Sequence, residues 1–270
     1  MNRPHPQALP PFPLARPLPA FRLEAVNLVL ITEPEVSAGL PLADARTTHL
    51  LGTVGLRMGQ TFHVGLVGGL RGLATVTAIA PALRFNVVWE KSVQTRLPLT
   101  VLIGLPRPQT AKKVLHDLAS LGAARLIFFE ADKGDPGYVA SSLWKDGEYR
   151  EHLRKGTEQA CSTLVPTVDR VASLAEALAL VSGDGWKVAL DPYEATGALG
   201  ESAPASASAG ILAVGPERGW SDKERALLRA QGFRMQHLGD RILRVEAACL
   251  VGGALLLAHL RAWQAHRALG

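Results

Sequence analysis

One junction near residue 215 constrains the fold more than any other part of the chain. The apolar run Ile211-Leu212-Ala213-Val214 leads into the loop Gly215-Pro216-Glu217-Arg218-Gly219-Trp220 and then into Ser221-Asp222-Lys223-Glu224. The first stretch reads as a short buried strand. The last reads as a capping box, in which a serine hydroxyl and a glutamate three residues later satisfy the free N–H groups of a helix start. A strand, a glycine loop and a helix start in succession bring bare backbone N–H groups and the positive end of a helix dipole to the carboxyl edge of a sheet. Open α/β folds bind their ligands there. A second segment, Leu238-Gly239-Asp240-Arg241-Ile242-Leu243-Arg244-Val245-Glu246, follows the same logic. Gly239 permits a tight turn, and the apolar pair Ile242 and Leu243 precedes Arg244 and Glu246 at the start of a long helix.

From Arg96-Leu97-Pro98 onward, strand and helix patterns alternate. The pattern predicts strands at 99–104, 125–130, 187–191, 211–214 and 234–238, and helices at 110–121, 148–164, 174–181, 222–230 and 244–268. Alternation of this kind implies an α/β domain with a parallel sheet covered on both faces. Before it, 26–32, 61–67, 72–80 and 83–90 read as short strands separated by Gly and Pro, which suggests a small, mostly antiparallel β-barrel or sheet. Residues 1–20 hold seven prolines and read as an extended arm rather than the apolar core of a signal peptide. The expected division is therefore 1–20, 21–96 and 97–270, with 195–210, rich in Ala, Ser and Gly, as a flexible surface loop.

Composition narrows the class. A hydrophobic content of 47% suffices for a packed core, and a formal charge of +5 favours an acidic partner. The apolar run 247–258 is too short for the roughly 20 residues that span a bilayer, so no membrane role is expected. Cys161 and Cys249 fit neither a disulfide framework nor a C-x-x-C metal pair; they read as buried small hydrophobes in a reducing, cytoplasmic compartment. The eight histidines are scattered without metal-ligand spacing, and no metal site is expected. Ser221 is better explained as a helix cap than as a nucleophile.

Together the two glycine segments resemble the signature of the SPOUT methyltransferases, and within them the bacterial family that methylates N3 of a uridine in 16S ribosomal RNA. That family carries a G-P-E-G-G-[aromatic or Leu]-[ST]-x-x-E loop, matched here at all but Arg218, and an L-G-x-x-I-L-R-x-E-[TA]-A segment, matched from Leu238 to Ala247. The resemblance implies a SPOUT-type parallel sheet with a C-terminal trefoil knot, preceded by a small β-rich, PUA-like RNA-binding domain. The knot loops would be the two motifs and the turn after Asp191-Pro192. It implies S-adenosylmethionine as methyl donor, no metal, a homodimer, and 16S ribosomal RNA within the small ribosomal subunit as partner. Gly215, Pro216, Glu217, Gly219 and Gly239 would offer backbone to the donor, the glycines because a Cβ would intrude, while Leu190, Leu238, Ile242 and Leu243 would wall its adenine.

N3 of uracil is a protonated imide nitrogen, so methylation there requires an aligned methyl, an unpaired base and stabilisation of charge on the carbonyl oxygens. Arg244 is the candidate for the fixed cation, with pairing to Glu246 or Glu217 as its structural alternative. Glu217 is either a general base or a loop acid holding the knot through backbone N–H groups. His49, Arg57 and Arg218 are candidates for RNA phosphate. Val251, Leu255 and Leu256 on the last helix are candidates for the dimer interface. The chain departs from the family where Asp117, Ser120 and Ser162 replace a lysine, a glutamate and an arginine. Two further readings therefore stay open: methylation of a different RNA position, and a catalytically silent RNA-binding homologue.

Overall fold

The strands of the protein separate into two sheets. The structure, a computed structural model, describes residues 28–91, 94–181, 183, 185–201, 204 and 207–265. The expected proline-rich arm lies outside the described residues, as do four positions of the expected 195–210 loop.

The smaller sheet contains β1 (Val29–Ile31), β2 (Leu40–Pro41), β3 (Thr61–Leu66), β4 (Arg71–Ala78) and β5 (Ala82–Trp89), in the order β1-β3-β4-β5-β2. Period-two alternation turns Phe62 and Val64, Ala74 and Val76, and Leu83 and Phe85 onto one buried face with Leu40, Leu50 and Leu56. The pairing is antiparallel except between β1 and β3, which are parallel. A parallel pair needs a crossover, and α1 (Glu33–Ala38), β2 and α2 (Ala45–Thr48) supply it. These polar helices escaped the periodicity reading; local capping defines the first, with Thr32 and Glu35 closing a capping box.

The larger sheet is wholly parallel, in the order β11-β9-β10-β6-β7-β8. The chain runs through β6 (Leu97–Gly104), α3 (Pro108–Leu121), β7 (Ala123–Phe129), α4 (Ser142–Lys145), α5 (Tyr149–Gln159), β8 (Thr167–Val171) and α6 (Leu174–Ala179). It continues with β9 (Trp186–Leu190), β10 (Gly210–Val214), α7 (Asp222–Ala230), β11 (Arg234–Gln236), α8 (Val245–His259) and α9 (Ala262–Ala265). Alternate residues of the central strands feed two cores. Val101, Ile103, Leu212 and Val214 pack with α3, α5 and α8; Leu102, Ile211 and Ala213 pack with α6 and α7. Both faces are covered, as the alternating pattern requires.

Several boundaries differ from the sequence reading, each for a local reason. The helix expected at 148–164 stops at Gln159 because Cys161 turns the chain at φ 51°, and Cys161 is half-buried rather than a buried core residue. Cys249, in contrast, is fully buried, and burial pushes its thiol pKa up. The final helix ends at His259, where Arg261 (φ 52°) precedes α9; residues 266–268 lie outside the described residues. Of the dimer candidates on α8, Val251 is exposed and Leu255 half-buried, whereas Leu256 is fully buried against β10 and cannot serve as a free contact. Among the described residues no helix is long and apolar enough to cross a membrane.

Leu30 of β1 lies on the seam between the smaller sheet and α5. The Leu30 N–H donates to Glu158 Oε1 (2.9 Å), and its carbonyl accepts from Arg46 Nη1 (2.7 Å). Arg154 holds Glu158 from α5 at 2.6 Å, yet burial pushes that carboxyl above its ordinary range. Arg46 in turn holds Asp44 (2.8 Å) below the usual carboxylate range.

The capping box at α7 forms as expected: the Glu224 N–H donates to Ser221 Oγ (3.1 Å) and the Ser221 N–H to Glu224 Oε2 (2.8 Å). Ser221→Ala is expected to cost about 1 kcal/mol of stability, read as a lowered urea midpoint with unchanged slope.

Candidate active site

The larger sheet reverses its winding at β6. Strands β7 and β8 lie to one side, and the chain then returns to build β10, β9 and β11 on the other. At such a switch point the loops at the carboxyl ends of neighbouring strands diverge and leave a crevice. A cavity of about 710 Å³ occupies this place. Four segments line it: 190–193 after β9, 214–220 after β10, 236–246 between β11 and α8, and Arg107, Gln109, Thr110 and Lys113 at the start of α3. Its size is that of a small-molecule site.

All ten residues expected at the donor site line this one cavity: Leu190, Gly215, Pro216, Glu217, Gly219, Leu238, Gly239, Ile242, Leu243 and Arg244. Leu190 is buried in the floor, whereas Ile242 is largely exposed and stands at the rim. The glycines have separate reasons. A Cβ on Gly215 would press on the Trp220 ring at 3.2 Å, while Gly219 (φ 69°) and Gly239 (φ 108°) occupy the left-handed region. A Cβ at either of the latter two would meet no protein atom, so the loops turn bare backbone toward open space.

Buried anchors unseen in the sequence reading hold the loops. Trp220 is almost wholly buried, stacks on Phe129 and donates from Nε1 to the Leu190 carbonyl (2.9 Å), tying the β10 loop to the end of β9. Asp191, with 1% of its side chain exposed, accepts from Arg225 Nε of α7 at 2.6 Å and from the Tyr193 N–H at 2.9 Å. The Asp191 N–H donates to the Gln236 carbonyl (3.0 Å), linking β9 to β11 beyond their ladder. Asp191-Pro192 was legible as a turn; its arginine partner, distant in sequence, was not.

The acids of the site are committed to partners. Glu217 Oε1 accepts the Arg107 N–H (3.1 Å), with Arg107 Nε at 3.7 Å, and Glu246 pairs with Lys113 Nζ at 3.4 Å. The first bond is the loop-holding arrangement. These pairings also remove the two acids considered as structural partners of Arg244. Among the described residues Arg218, Arg241 and Arg244 form no ion pair, so three uncompensated cations face one cavity.

Two other candidates lie elsewhere. His49 is exposed in a π-helical turn (His49–Thr53), and Arg57 donates to the Gly55 carbonyl (2.9 Å); both belong to the smaller sheet's loops and neither lines the cavity. Nor do the three departures from the family pattern. Ser120 Oγ donates to the Gly156 carbonyl (2.9 Å) where α3 packs on α5, Asp117 contacts His116, and Ser162 bonds Gln94. Among the described residues no group of three or more His, Cys, Asp or Glu is placed to hold a metal.

A family model described as an RNA methyltransferase domain matches residues 93–257. The ribosomal RNA small subunit methyltransferase E of Treponema pallidum is 31% identical over 250 residues, covering 88% of this chain and 93% of that protein. The chain belongs to this RNA methyltransferase family. The ribosomal RNA small subunit methyltransferase E 1 of Borreliella burgdorferi is 27% identical over 87% of this chain and 99% of its own length. Among solved structures, ribosomal RNA small subunit methyltransferase E from Neisseria gonorrhoeae, bound to S-adenosyl methionine, superimposes with a TM-score of 0.70 at 20% identity, covering 86% of this chain and 97% of that one. A probable rRNA-methyltransferase from Porphyromonas gingivalis does so with 0.72 at 17% identity, covering 87% and 100%. The fold is thus the SPOUT type expected from the motifs, with a C-terminal trefoil knot behind a small PUA-like β domain.

Proposed function

We propose that this chain transfers a methyl group from S-adenosylmethionine to N3 of a uridine in 16S ribosomal RNA, acting on the small ribosomal subunit in the cytoplasm as a homodimer. The observation that supports this most is the convergence of both glycine motifs, with their bare backbone and three unpaired arginines, on one cavity at the switch point of the sheet. The cavity suits the donor. Leu190, Leu238 and Leu243 offer apolar walls, the loops offer backbone, and the arginines answer a carboxylate. When bound, S-adenosylmethionine supplies an electrophilic methyl on a sulfonium.

The chain's own residues then have three tasks. The loops 215–220 and 238–244 hold the reacting groups in line, and Trp220, Asp191 and Arg225 keep those loops rigid. Arg244 stands at the start of α8 as a fixed cation beside the oxygen on which charge develops as N3 loses its proton. Glu217, occupied by the Arg107 N–H, positions the loop. Arg218, His49 and Arg57 answer RNA phosphates, and the exposed α8 residues Leu250 and Val251 supply apolar contact for a second copy.

The test is mass-spectrometric mapping of 16S ribosomal RNA from cells with and without the gene. Loss of a single N3-methyluridine, restored by the intact gene, is the expected result. Loss of a methyl at another nucleotide would move the target. An unchanged RNA, with no calorimetric binding of S-adenosylmethionine to the folded protein, would favour the silent RNA-binding reading.

A further inference from the structure

We propose that Tyr193, together with Ile242, forms the seat for an unstacked RNA base at the mouth of the cavity; the inference rests on the reading of this chain as a ribosomal RNA methyltransferase. Both side chains line the cavity, and each is 72% exposed. Exposed large apolar groups are common singly, but here two line one cavity.

The Tyr193 ring is held out by a braced turn. Its own N–H is bound by Asp191, Asp191 is locked by Arg225, and Glu194 is held by Arg225 and Arg229 of α7. Two residues further on, the Thr196 N–H donates to the Met235 carbonyl (3.0 Å). A turn tied at 191, 193, 194 and 196 fixes the backbone from which its one aromatic residue projects. Sheet order gives the neighbours: β9 lies between β10 and β11, so the Tyr193 turn emerges between the loop that bears Arg218 and the loop that bears Arg241 and Ile242.

The chemistry of the substrate calls for such a seat. The N3–H of uracil is its pairing donor, so the base must leave any pair and stack before N3 is accessible, and the lost stacking has to be replaced. An aromatic face replaces it for any base, at a gain of about 1–3 kcal/mol per base. The aliphatic Ile242 closes the other side without competing for the hydrogen bonds of the base edge. Unpaired Arg218 and Arg241 on the flanking loops meet the phosphates on either side of the extruded nucleotide.

The experiment uses the full chain, S-adenosylmethionine and small ribosomal subunits from cells lacking the gene. Wild type, Tyr193→Leu and Tyr193→Phe are compared for KM toward subunits, kcat and calorimetric affinity for the donor. Tyr193→Leu is expected to raise KM for subunits by about tenfold or more, with donor affinity unchanged, and Tyr193→Phe, which keeps the ring face, to recover most of that loss. Three results overturn the inference alone: a Leu variant with the wild-type KM, a Leu variant that loses donor affinity in step, or a Phe variant as impaired as Leu. A wild-type protein that binds donor yet leaves the subunits unmethylated overturns the substrate reading, and the base seat with it.

Discussion

Arg244→Ala is expected to lower kcat for methyl transfer by about 100- to 1000-fold while the protein stays folded. The two halves of that expectation have different origins. Arg244 is exposed at the N-cap of α8, makes no side-chain capping bond and forms no ion pair among the described residues, so its removal leaves no buried group unsatisfied. On the proposed reaction its catalytic weight would come from charge that exists only in the transition state. As N3 of uracil gives up its proton and attacks, negative charge spreads to the carbonyl oxygens, and a cation held in advance stabilises that state more than the ground state. The checks are single-turnover kinetics and a thermal melt. Arg244→Lys, which keeps the charge without the planar fork, is expected to fall between. Full activity in the alanine variant would remove Arg244 from the mechanism; an unfolded variant would show the residue to be structural.

The largest expected loss of stability lies one layer deeper. Asp191→Ala removes the 2.6 Å partner of Arg225 in a place where only 10% of the arginine side chain is exposed, leaving it Asp222 at 3.0 Å and Glu194 at 3.7 Å. Breaking one side of a buried pair typically costs about 3–5 kcal/mol. The urea midpoint should fall accordingly. The double variant Asp191→Ala/Arg225→Leu should recover part of the loss, because the guanidinium that has lost its buried partner is gone. A single-variant loss under about 1 kcal/mol would show that water reaches the pair and that the turn is held by its backbone bonds.

Much of the site was legible because its signals are local. The helix 222–230 matches its expected bounds, since Ser221 and Glu224 write its start into adjacent residues. The ten donor-site candidates converge because two glycine loops, each after a short strand, must open at the same sheet edge. What escaped depends on distance or on edges. The strand β8 carries Asp169 and Arg170 and sits at the sheet margin half-exposed, so it lacks the apolar run that marks the central strands. Arg225 reads as one more charge on a polar helix until the fold brings Asp191 to it. Tyr193 reads as a loop residue until sheet order sets it between two others. The identity of the target nucleotide was not legible either: the three departures from the family pattern fall in helix packing and the inter-sheet seam, away from the cavity that their loss was expected to affect.

The bonds made by Leu30 bear on how the two sheets are held against each other. A carboxylate grips its N–H and a guanidinium grips its carbonyl, and each of those groups is itself tethered to further charges. Arg46 belongs to the same module as Leu30, so swinging that module away would break the bond to buried Glu158 together with the bonds of Thr163 to Gly68 and Gly69, and the two halves behave like calipers held at one opening. Such a tool does not mould itself to its object. On the proposed function, an RNA substrate would meet the two sheets at this one spacing rather than part them.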